Sequence, residues 1–265
     1  MVNNNYSFIE LGGQLIPNAS SEEKHALTKI FSPQATSSLG NEPLAEAICR
    51  NGGNGIANLF RGHGVAYLEL LFDTAKLMKI EPALSITSMT KHGVSLTEMD
   101  ARYFKPGLDT INQIFWRDEL GKFTLTSEKA ILSKVATEIY SNMTSDQKKI
   151  VDTKIQEIAQ TIPGQRLSGI GTASALVILG NLGGFATYTL MSSIISSITL
   201  GSVGFGVYTF ASSALSVLLG PIGVIGVGAA AIYKFAGPDE RRSLQAVATI
   251  AMIRQRLIGE KVLSY

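Results

Sequence analysis

Cysteine is almost missing from this chain of 265 residues: Cys49 is the only one, which excludes an internal disulfide. Histidine is scarce as well. His25, His63 and His92 are the three, with no pair at i,i+4 and no cysteine cluster beside them, so a transition-metal site has little to be built from. No GxxxxGK motif followed by Ser or Thr occurs. The glycines at 201, 204 and 206 and at 223, 226 and 228 are followed by neither the Lys nor the acidic residue that a phosphate or dinucleotide site requires. No run of alternating β-branched residues makes a convincing sheet. The amino terminus MVNNNYSFIE lacks both the basic start and the apolar core of a signal peptide, so a reducing cytoplasmic setting is expected. A formal charge of +2 gives no strong steering toward nucleic acid. No catalytic residues, no cofactor and no metal are expected.

The largest absence is of charge. From Leu167 to Tyr233 there is no Asp, Glu, Lys, Arg or His. One membrane crossing takes about 20 apolar residues for a hydrocarbon core of about 30 Å, so this run has room for two helices and a turn. Glycines at Gly201, Gly204 and Gly206 place the tip of such a hairpin there. Arg166 stands before the run, and Lys234, Arg241 and Arg242 stand after it. Cationic flanks mark the cytoplasmic side of the inner membrane, so both termini are expected there and the number of crossings is even.

Hydroxyl groups recur through the run. Thr189, Ser193 and Ser196 share one helical face, and Thr209, Ser213 and Ser216 follow in the second half. Such faces turn away from lipid, toward another helix or toward water. Gly180 and Gly184 form a small-xxx-small pair, and Gly223, Gly226 and Gly228 thin the last segment, which favours a bundle of several chains. Two other readings stand beside the resident hairpin. The run can form the buried centre of a soluble helical protein, or a hairpin that stays sheltered until it is released.

The rest reads as all-α. A helical cytoplasmic domain over 1–165 precedes the apolar transmembrane hairpin at 166–235 and a basic amphipathic helix at 236–265. Ser20 or Ser21 caps a helix with Glu22 and Glu23 in its first turn, which ends before Pro33. Asn41 opens another with Pro43 in its first turn. Ser127 to Met143 places Ile131, Leu132, Val135, Ile139 and Met143 on one face, and Thr144 with Gln147 forms a capping box for the next helix. That helix turns Ile150, Val151, Ile155 and Ile158 inward and stops at Pro163-Gly164, so 161–169 is the expected linker.

The densest local pattern is GGNGIANLFRGHGVAYLELLFDTAKLMKI, from Gly52 to Ile80. In Gly52, Gly53, Ile56, Ala57, Asn58, Arg61, Gly62, His63, Gly64, Tyr67 and Asp73 it resembles the YaaW-type family of uncharacterised bacterial proteins. The segment Ala236 to Gln255 is similar to that family's closing helix in Gly237, Pro238, Arg241, Ile250, Ala251 and Arg254. Asp239 and Glu240 replace a small and aromatic pair, and the apolar stretch is longer and richer in serine. The family is grouped with the ubiquinol-cytochrome c chaperone family, which implies a helical fold and assembly-factor activity at a membrane.

Arg61, Gly62, His63 and Gly64 set backbone N–H groups beside a guanidinium and an imidazole, a combination suited to an anion such as a nucleotide or another phosphate-bearing ligand. The plainer reading has the glycines turning the chain while Arg61 pairs with Asp73 or Glu69. Cys49 and His63 have nothing to orient them as nucleophile and base, and a lone helical cysteine is usually a small core residue. The aromatic pair in Phe115 to Asp118 is more often core than a base-stacking platform. The function expected is that of a membrane effector of toxin or antiphage defence type. Its hairpin oligomerises into a pore that dissipates ion gradients under control of the N-terminal domain. A membrane-anchored assembly chaperone holding a client protein is the alternative.

Overall fold

A computed structural model describes residues 15–51, 67–80, 110–141, 143–161 and 238–260. Among them are seven helices and no strand: α1 (Ile16–Asn18), α2 (Ser21–Phe31), α3 (Asn41–Asn51), α4 (Tyr67–Leu77), α5 (Thr110–Ser141), α6 (Ser145–Thr161) and α7 (Pro238–Gly259). The described part is all-α.

The helix boundaries follow from side-chain chemistry. Ser20 caps α2 in a full capping box: its Oγ accepts from the Glu23 N–H at 3.2 Å, and the Glu23 carboxylate accepts from the Ser20 N–H at 2.8 Å. The helix closes at Phe31, two residues before Pro33, where the Ser32 N–H donates to the Thr28 carbonyl at 2.8 Å. Thr28 Oγ1 also accepts from the Leu39 N–H at 3.0 Å, which fixes the path from α2 into α3. Helix α4 buries Tyr67, Leu70, Leu71, Thr74 and Ala75, a stripe at helical spacing. It ends in a Schellman turn: the Ile80 N–H donates to the Ala75 carbonyl at 2.9 Å and the Lys79 N–H to the Lys76 carbonyl at 3.0 Å. Lys79 carries the left-handed φ of 55° that this turn requires.

Helix α5 runs for 32 residues, beginning at Thr110, well before the Ser127 start that the sequence pattern suggests. Its expected face is buried as read: Ile131, Leu132, Val135, Ile139 and Met143 all lie in the core. Helix α6 starts after Thr144, whose carbonyl accepts from the Lys148 N–H at 2.9 Å. It folds back on α5, with the Tyr140 hydroxyl donating to Asp152 Oδ1 at 2.8 Å and Val151 and Ile155 buried. The side chains of Ile150 and Ile158 lie outside the described residues.

Helix α7 is central. It packs against α2, α3, α4 and α5, and every residue from Ser243 to Gln255 is buried. The sequence pattern sets 236–265 apart as a basic amphipathic helix. In the fold its apolar residues reach all round the helix, and two of its basic residues, Arg254 and Arg256, pair with carboxylates, while Arg242 near its start is exposed. One apolar core therefore joins residues from Leu15 to Leu257.

No helix among the described residues is long and apolar enough to cross a membrane. The hairpin expected at 166–235 lies outside the described residues.

Candidate functional site

Tyr67 is the first residue of α4, Glu128 sits in the middle of α5, and Arg254 lies in the last turns of α7. The fold brings the three together. Arg254 Nε donates to both carboxylate oxygens of Glu128, at 2.9 and 3.1 Å, and the Tyr67 hydroxyl donates to Glu128 Oε1. The guanidinium carbon lies 5.9 Å from the centre of the Tyr67 ring, within reach of a cation–π attraction. Glu128 and Arg254 are 0% exposed and Tyr67 is 5% exposed.

Burial governs the protonation of this cluster. Desolvation pushes the Glu128 carboxyl above its ordinary range, although Arg254 and the Tyr67 hydroxyl pull the other way. The Tyr67 phenol is pushed well above its ordinary value of 10.0, first by burial and then by the Glu128 charge. The proton on the Tyr67 oxygen is therefore firmly held. Among the described residues the cluster joins three helices, α4, α5 and α7, through one buried carboxylate.

Two residues further along α7, Arg256 makes a second junction. Its Nε donates to Glu23 Oε1 at 2.8 Å and its Nη2 to Glu23 Oε2 at 2.6 Å, a bidentate pair with the same carboxylate that completes the α2 capping box. Nη2 also donates to the Asn18 carbonyl at 3.3 Å, and Nη1 to Glu260 Oε2 at 2.6 Å. The last turns of α7 are thus tied to α1, α2, α4 and α5.

Tyr67 and Arg254 both belong to the segments that carry the family resemblance, one from each end of the chain. Glu128 and the Glu23–Arg256 pair went unread. Glu128 precedes Ile131, Leu132 and Val135 by three, four and seven residues, so helical spacing alone puts it on the core face. A carboxylate there needs a buried partner, and that was the available signal.

The anion site expected at Arg61, Gly62, His63 and Gly64 lies outside the described residues. So do the hydroxyl faces of Thr189, Ser193, Ser196, Thr209, Ser213 and Ser216. Asp73, suggested as a partner for Arg61, is exposed on α4. The side chains of Glu69 and of Phe115 to Asp118 also lie outside the described residues. Cys49 is 5% exposed and part of the apolar core. Among the described residues no group of three or more His, Cys, Asp or Glu side chains could hold a metal ion.

The chain is similar to two proteins of Helicobacter pylori. A UPF0174 protein of strain J99 is 22% identical over 222 residues, 82% of this chain and 88% of the relative. A UPF0174 protein of strain 26695 is 26% identical over 219 residues, 81% of this chain and 87% of the relative. The likeness therefore extends over most of each chain and is not confined to one motif. No family model matches the chain, and no solved structure matches it.

Proposed function

We propose that this protein is a non-enzymatic membrane effector, in which a helical body on the cytoplasmic side carries the charge-free run 167–233 into the lipid of the inner membrane as a hairpin. One observation carries this reading. Helix α7 follows the run in sequence, yet it is the central helix of a body whose other described helices all precede the run. The run is thus flanked in sequence, on both sides, by helices of one folded unit. A chain that leaves a body and returns to it has both ends on one side of any bilayer, in agreement with Arg166, Lys234, Arg241 and Arg242 at its flanks.

The hydroxyl faces at Thr189, Ser193 and Ser196 and at Thr209, Ser213 and Ser216 have no place against lipid. In an oligomer of hairpins they line a water-filled pore that dissipates ion gradients, an action of toxin or defence type. A nucleotide or other phosphate-bearing ligand at Arg61 to Gly64 would regulate it.

The test is membrane potential on induced expression, comparing the intact chain with one in which 167–233 is replaced by a short Gly/Ser linker. Truncation after Gly164 is the poorer control, because it also removes α7. Depolarisation by the intact chain alone is the expected result, and Leu at Ser193, Ser196, Ser213 and Ser216 should abolish it. An intact chain that reaches the membrane and leaves the potential untouched overturns the open pore in favour of an anchor, as an assembly chaperone would use.

A further inference from the structure

We draw no further inference here: the strongest candidate, the buried side-chain cluster of Tyr67, Glu128 and Arg254 where α4, α5 and α7 meet, belongs to the site already described, and nothing in the structure shows a ligand or partner reaching it.

Discussion

Glu128 and Arg254 lie 126 residues apart in sequence and meet where neither touches solvent. Two charges in such a place are tolerable only together. Removing one, as in Arg254→Met, should lower the unfolding free energy by about 3–5 kcal/mol, whereas Glu128→Leu/Arg254→Met should lose less, about 1–3 kcal/mol, because it leaves no buried charge of the pair but removes the acceptor of the Tyr67 hydroxyl. Denaturant midpoints of the full-length chain would check this, and equal losses in the single and double variants would refute the argument. Tyr67 has its own signature. Its phenol is pushed well above 10.0 in the folded chain, so the unfolded chain releases this proton first as the medium becomes alkaline. The stability contributed by the hydroxyl is complete below pH 10 and is lost as pH rises through the folded-state value. Tyr67→Phe should therefore cost about 1–2 kcal/mol near neutrality, and the gap should narrow above about pH 10. A gap that stays constant from pH 8 to pH 11 in urea titrations would exclude this. Tyr67 and Arg254 stood out in sequence because their segments resemble a family. Glu128 did not, because its partners are brought to it only by the packing of three helices.

At the scale of the element, local chemistry was the more readable part. Ser20 with Glu23, and Thr144 ahead of α6, each mark a helix start that the fold uses, and Pro33 lies just past the end of α2. The helical periodicity of Ile131, Leu132, Val135 and Ile139 likewise marks the face that the fold buries. The upstream half of α5 was obscured by Gly121 and by Thr124 and Thr126, residues with modest helix propensity. Phe123 and Leu125, both buried, show that tertiary packing sustains the helix there against local preference. The end of α4 shows the reverse, where packing imposes a backbone shape on a residue ill suited to it. Lys79 occupies the left-handed position of the Schellman turn, with φ of 55°, a position that glycine fills at no steric cost. Left-handed backbone costs a residue with a Cβ about 1–2 kcal/mol, and glycine gives back about 0.5–1 kcal/mol through the entropy of the unfolded chain. Lys79→Gly should therefore stabilise the protein by about 0.5 kcal/mol, seen as a small rise in thermal midpoint, while Lys79→Val should lower it. A fall for the glycine variant would show that the Lys79 side chain contributes more than its backbone costs.

Across the whole molecule, the decisive contacts span the chain: Glu23 with Arg256, and Glu128 with Arg254, each join a helix before the charge-free run to the helix after it. Sequence patterns report neighbours along a helix and are silent about partners this distant, which is why α7 read as a separate basic segment. That arrangement separates two pictures of the run itself. If it is an excursion into lipid, the helical body does not depend on it. Replacing 167–233 by about ten Gly/Ser residues, which reach about 30 Å, should then leave a protein that unfolds cooperatively and stays in solution without detergent. Truncation after Gly164 removes α7 and with it the partners of Glu23 and Glu128, so it should abolish cooperative unfolding even though more of the N-terminal sequence is contiguous. If the run is instead the apolar centre of the fold, both variants lose the core. The excised chain should then aggregate or melt without a transition, as the truncated one does, and the intact chain should need no detergent. Thermal unfolding of the two variants side by side, followed at a helical wavelength, distinguishes the pictures: a cooperative transition confined to the excised chain supports the excursion, and its absence from both places the run inside the body.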